Sequence, residues 1–175
     1  EYVGPTISSE LLIKGLQAIS FALLSILIYI WLRFEWQFGF GAVVALAHDI
    51  LITLGVLSLL KIDFSLSTIA AILTIAGYSI NDTVVIFDRV RENLRKYKKL
   101  EMVELFNISI NNTLSRTVMT SITTIIALSC LFIFGGEVIK PFAFAMIIGV
   151  LVGTYSSIFI AVPTLLLFKF RPQED

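Results

Sequence analysis

Five stretches of this chain are long and apolar enough to cross a lipid bilayer as helices, and that one feature decides what the chain can fold into. They lie at about 13–32, 38–60, 65–87, 114–134 and 142–168. Residues 15–32 and 117–134 carry no charge, and Arg116 stands immediately before the latter. The second stretch holds Asp49 as its only charge, beside His48, and the third holds only Asp82. The last is uncharged and long enough to tilt. Hydrophobic residues make up 57% of the 175 and charged ones 15%. A soluble domain of this size has too much surface for its volume to hide that much apolar area from water. The fold class expected is therefore an all-α membrane protein, a five-helix transmembrane bundle in a single domain over 1–175.

Lysine and arginine set the expected orientation, because they collect in cytoplasmic loops. Arg33, Arg89, Arg91, Arg95, Lys96, Lys98, Lys99, Arg116, Lys169 and Arg171 fall on one side, against Lys14, Lys61 and Lys140 on the other. That bias places the N-terminus outside and the C-terminus in the cytoplasm. The outer turns are 60–64 and 135–141, broken by glycine and proline. Residues 88–112 form the cytoplasmic connection. Its first part should prolong the third span as a helix supported by Glu92 and Lys96 at i,i+4. Its second part spaces Phe106, Ile110 and Leu114 for a short helix that could lie in the interface, while the plainer reading of the basic run is a solvated linker with positive-inside charges. Net charge is zero, so no bulk field points to nucleic acid. Residues 1–10 are polar and do not read as a signal peptide; the expectation is that the chain begins inside a longer protein.

Ionisable groups within spans are costly and are functional candidates by default. Asp82 comes first, preceded by Asn81. Ser67, Ala70, Thr74, Gly77 and Asn81 form a small or polar stripe at steps of three and four, which should face protein. Arg116 enters the next span from the same side and is the natural partner of Asp82. The alternative is that Asp82 only satisfies a neighbouring helix end or a cation. Thr113, Thr117, Thr120 or Ser121, and Thr124 follow Arg116 at helical spacing. Such hydroxyls either bond carbonyls one turn back or line a water-filled path. A carboxyl balanced between desolvation and a nearby arginine can load and release a proton. His48-Asp49 is a second candidate relay, against the plainer reading of a hydrogen-bonded structural histidine. Gly149 and Gly153 form a GxxxG suited to tight helix packing. One histidine and one cysteine, Cys130, on different spans argue against a metal site. No phosphate-binding glycine loop or activated nucleophile is present, so no chemical reaction and no cofactor other than the proton is expected.

Residues 77–93, GYSINDTVVIFDRVREN, closely resemble the signature of the SecF branch of the SecD/SecF family of protein-export membrane proteins. Val3-Gly4-Pro5, His48-Asp49, Arg116-Thr117 and Phe134-Gly135-Gly136 add to the resemblance, which covers essentially the whole chain. The sister branch, SecD, typically reads Asp-Ala-Asn where this chain has Asn81-Asp82-Thr83, and usually lacks the aspartate after the histidine. The resemblance implies the resistance-nodulation-division superfamily, whose halves have six spans with a periplasmic domain between the first two. The five spans here would then be the second to sixth. It further implies residence in the bacterial inner membrane, partnership with SecD and the SecYEG channel, and preprotein as substrate. The proton motive force would drive late translocation, with Asp82 and Arg116 in the proton path; the family gives Asp49 no comparably firm role. A small-molecule or lipid exporter of the same superfamily and a passive membrane scaffold are the competing readings.

Overall fold

The structure, a computed structural model, describes residues 5–62 and 65–168. Val3-Gly4, the Asp63-Phe64 part of the first outer turn, and Lys169 and Arg171 lie outside them. Five long helices are present: α1 (Pro5–Arg33), α2 (Trp36–Leu59), α3 (Leu66–Lys96), α4 (Met102–Phe134) and α5 (Lys140–Ser156). The last continues through one π-helical turn, Ser157–Ala161, into α6 (Val162–Leu166). Pro163 explains the wide turn, since it has no N–H to bond the carbonyl one turn back and its ring crowds that carbonyl. With α5 and α6 taken as one path, five helical segments among the described residues are long and apolar enough to cross a membrane.

Their outward faces are as apolar as their inward ones. Leu51, Ile126, Leu151 and Phe159 are all more than half exposed. A helix apolar all round has lipid as its solvent. Burial from water therefore cannot be what holds these helices together; close packing and interhelical hydrogen bonds must do so.

α3 and α5 form the centre, with α2 and α4 packed against both and α1 against α2 and α3 at the margin. Every helix of the inner four is divided in the same way. At the basic end, where Arg33 and Arg95 lie, Phe34, Phe38, Phe87, Phe106 and Leu165 anchor one apolar core. At the opposite end Leu57, Ile75, Leu128, Met146 and Val150 anchor another. Between them runs a buried polar layer: Asp49 and Thr53 on α2, Ser79, Asp82 and Thr83 on α3, Thr117 and Ser121 on α4, Ser156 and Ser157 on the α5 path.

The connection expected over 88–112 is mostly helix. α3 runs on to Lys96, and α4 begins at Met102, leaving only a short link. No separate interfacial helix forms there. Leu105 and Phe106 are buried in the basic-end core, with Ile110 packed against it, so this segment gains more by joining the bundle than by lying on the surface. Glu92 does not pair with Lys96. It meets Arg89 at 2.6 Å, while the Lys96 ammonium lies 5.2 Å from the Tyr97 ring.

Candidate functional site

Asp49 is fully buried, yet none of its hydrogen-bonding capacity is stranded. Ser79 of α3 donates to its Oδ2 at 2.5 Å and Ser156 of α5 donates to the same oxygen at 2.7 Å. His48 Nδ1 stands 3.1 Å from Oδ1. One carboxyl thus ties three helices at mid-depth. The close approach depends on Gly153, where a Cβ would sit 3.1 Å from the Ser79 Cβ and 3.6 Å from Asp49 Oδ2. His48 is part-exposed at the bundle margin, its ring 6.5 Å from that of Tyr155.

A buried carboxyl with several donors is stabilising as a set and costly once broken. Asp49→Ala is accordingly expected to lower unfolding stability in detergent by about 2–4 kcal/mol, by stranding the Ser79 hydroxyl, leaving Ser156 only the Gly153 carbonyl, and opening a cavity. Asp49→Asn keeps an acceptor of the same shape and is expected to stay within about 1 kcal/mol of the parent. Equal losses for the two variants, read from denaturation midpoints, would contradict this account.

Asp82 is the opposite case. It is 4% exposed, and its Oδ2 is buried with no hydrogen-bond partner. Thr117 Oγ1 on α4 and Thr53 Oγ1 on α2 are also buried and unpartnered. Most buried polar atoms in folded proteins are bonded, so three orphan oxygens in one layer require a reason.

Two hydrogen bonds fix how α3 and α4 are registered. Tyr78 donates to Thr124 Oγ1 at 3.2 Å, and Asn93 Nδ2 donates to Ser109 Oγ at 2.8 Å. The fifteen residues from Tyr78 to Asn93 match the fifteen from Ser109 to Thr124, so both bonds share one antiparallel register. In that register Asp82 is level with Thr120, and Arg116 is level with Ile86. Arg116 therefore sits about 6 Å nearer the basic end than Asp82. Its side chain is exposed and no carboxylate lies within 4 Å of it among the described residues. The direct Asp82–Arg116 contact expected from sequence is not made. Thr113, Thr117 and Ser121 occupy the face of α4 that meets the bundle, and Arg116 is turned about 100° from Thr117.

The hydroxyls after Arg116 mostly bond backbone. Thr113 donates to the carbonyls of Ser109 and Ile110, Thr120 and Ser121 to that of Thr117, and Thr124 to that of Thr120. Only Thr117 leaves its hydroxyl free among them. Ser121 also meets Thr154 at 2.6 Å, joining α4 to α5.

The small-residue stripe on α3 faces the other way from what its composition suggested. Ala70, Thr74, Gly77 and Asn81 are exposed, and a Cβ on Gly77 would meet nothing within 4 Å. Asp82 follows Asn81 by 100° of rotation, and that single step separates the buried face from the exposed one. Gly77 is no packing position within this bundle, and Asn81 is not beside Asp82 in the polar layer. Gly149 and Gly153 do face α3, against Ile75 and Ser79. Ser79, Ser156 and Gly41 also build this packing without standing out in the sequence. A Cβ on Gly41 would lie 2.9 Å from the Ala161 carbonyl oxygen. Ser79 stands one turn before Asp82 and was open to a periodicity argument; Ser156 and Gly41 have no local signal. Among the described residues no cluster of three His, Cys, Asp or Glu could hold a metal ion.

Comparison with known proteins fits this architecture. The family described as protein export membrane protein SecD/SecF, C-terminal, matches residues 1–171. The protein translocase subunit SecF of Rickettsia rickettsii is 55% identical over 171 residues, covering 98% of this chain and 56% of that protein. The SecF of Rickettsia bellii is 53% identical over 174 residues, covering 99% of this chain and 57% of the relative. The chain thus spans little more than half the length of these relatives. A crystal structure of SecDF from Thermus thermophilus, described as a translocon-associated membrane protein, superposes with a TM-score of 0.90 at 48% identity, covering 95% of this chain and 23% of that one. A SecDF structure in a super-membrane-facing form gives 0.85 at 45% identity, covering 95% and 22%. With a match over nearly its whole length and a bundle of the same shape, the chain belongs to the SecD/SecF family of protein-export membrane proteins, in its C-terminal membrane region.

Proposed function

We propose that this bundle is the membrane part of a SecF subunit that uses the proton motive force to assist late preprotein translocation, and that Asp82 is the residue that takes up and gives up the proton. The observation that carries this reading is the unpartnered Oδ2 of Asp82, buried in a polar layer halfway through an otherwise apolar bundle. A scaffold has no use for it, because a satisfied acid such as Asp49 gives interhelical bonds without an orphaned oxygen. An oxygen left open can accept a proton or a water, or can meet Arg116 in another arrangement of α3 and α4. Arg116 lies about one helical turn away, within the reach of a long side chain.

His48-Asp49 is the secondary site in this reading. Ser79 carries hydrogen bonding from Asp49 to the turn of α3 that precedes Asp82. The partners proposed are SecD, the SecYEG channel and the preprotein, within the bacterial inner membrane. The basic end, with Arg33, Arg89, Arg91, Arg95, Lys96, Lys98 and Lys99, would face the cytoplasm. The coupling ion is the proton, and no other cofactor is invoked.

The test is gradient-dependent completion of preprotein export by the complete subunit with its partners carrying Asp82→Asn. Full retention would overturn the proposal. Arg116 is tested separately. Arg116→Ala is expected to move the pH at which gradient-driven export is half-maximal, because its charge acts on the proton affinity of a carboxyl at this distance. An unmoved profile would remove Arg116 from the reading and leave Asp82 in it.

A further inference from the structure

At the basic end, a cleft of about 430 Å³ opens between the last residue of α1 and the extension of α3, lined by Arg33, Asp88, Arg91, Glu92, Arg95 and Lys96. Four cations and two carboxylates meet there, but the pairing is uneven. Asp88 is engaged by Arg33 at 3.3 Å, and Glu92 by Arg89, which stands outside the cleft, at 2.6 Å. Arg91, Arg95 and Lys96 have no carboxylate within 4 Å among the described residues. Arg91 reaches only the Arg33 carbonyl oxygen, at 3.5 Å, and Lys96 lies over the Tyr97 ring. Arg91 and Arg95 are one turn apart on the same face, where like charges repel. A preference for positive residues in this region accounts for the number of cations. It does not account for a cleft whose acids are both neutralised while three cations remain open.

The depth of the cleft narrows what anion it would take. Trp31 and Trp36, 65% and 56% exposed, flank Arg33 on either side of the α1–α2 turn, and exposed tryptophan marks the membrane–water boundary. Asp88, paired to Arg33, is at the same level. Arg91 and Arg95 then stand roughly 5 and 10 Å further along α3, the depth of the headgroup layer. On the membrane side of this level Ile28, Tyr29 and Leu32 of α1 are exposed, apolar surface along which acyl chains can lie.

We propose that this cleft binds the phosphate of an anionic phospholipid headgroup through Arg91, Arg95 and Lys96, independently of how Asp82 works. The test uses the complete protein in detergent, titrated with short-chain phosphatidylglycerol, short-chain phosphatidylcholine or inorganic phosphate, with binding followed by native mass spectrometry and by the thermal midpoint. Phosphatidylglycerol is expected to bind and to raise the midpoint. Replacing Arg91→Gln and Arg95→Gln together should weaken that binding about 30-fold. Lys98→Gln with Lys99→Gln removes the same charge just beyond the cleft and should change it little. Equal loss in the two double variants would mean diffuse surface attraction and would overturn the site. Equal binding of phosphatidylcholine, or a full effect from inorganic phosphate alone, would overturn the lipid assignment.

Discussion

Asp82→Asn is expected to abolish the gradient-dependent part of preprotein export while leaving the fold intact or slightly more stable. The two halves of that expectation come from one atom. Asparagine has almost the shape of aspartate but cannot exchange a proton in the working pH range, so it blocks any step that needs the site to load and unload. It also removes a carboxyl whose Oδ2 has no partner in the resting bundle, and an unsatisfied buried acid costs stability rather than supplying it. Function and stability should therefore move in opposite directions, as they do where a strained site serves a mechanism. Export without a gradient should be unaffected. Asp82→Glu keeps a titratable group displaced by about one bond and should restore part of the gradient response. A variant that loses export together with thermal stability would place Asp82 among the structural residues. Asp49→Asn in the same assay gauges the secondary site: unchanged gradient-driven export would confine Asp49 and His48 to holding the helices.

Gly149→Ala is expected to cost about 3 kcal/mol of stability and to reduce the yield of folded protein. A Cβ at this position would overlap the Ile75 side chain at Cδ1 and Cγ1 and lie 2.8 Å from its Cγ2. Two of those atoms sit on the Ile75 Cβ itself, so turning the end of the side chain away cannot clear the overlap. A β-branched side chain in a helix has in any case little rotameric freedom. α3 and α5 would have to separate, and they are the central pair of the bundle. Overpacking of this kind typically costs about 1–3 kcal/mol, and the dense α3–α5 contact puts Gly149 at the upper end. The pairing with Ile75 is what the explanation rests on. Ile75→Ala alone should destabilise by leaving a cavity, but combined with Gly149→Ala it should recover about 1–2 kcal/mol relative to the sum of the two. Strict additivity in unfolding midpoints would show that the two residues do not compete for the same space.

The five spans and Asp82 were legible in the sequence for a simple reason. Lipid leaves a helix no choice about its backbone bonds and makes every charge along it conspicuous. The residues that α3 and α5 bring together were less legible. Hydropathy has no period when the outside is as apolar as the inside, so the face of α3 carrying Ser67, Ala70, Thr74, Gly77 and Asn81 could not be assigned by pattern alone. It points out of the bundle, although its small residues looked made for contact. For the same reason Arg116 could be placed on the basic side of Asp82 but not on the face of α4 that it occupies.

By itself, then, the sequence determined the fold class, the number of spans, the family and the isolation of Asp82 in an apolar helix, because each is a property of local composition or of a contiguous motif. Only the tertiary structure decided which buried acid is satisfied. Asp49 owes its two serine donors to helices that meet it from 30 and 107 residues away, while Asp82, with the more conspicuous motif, is left with an open oxygen. Hydrogen-bond partnership across helices depends on the register and rotation of whole segments, and no stretch of sequence contains that information.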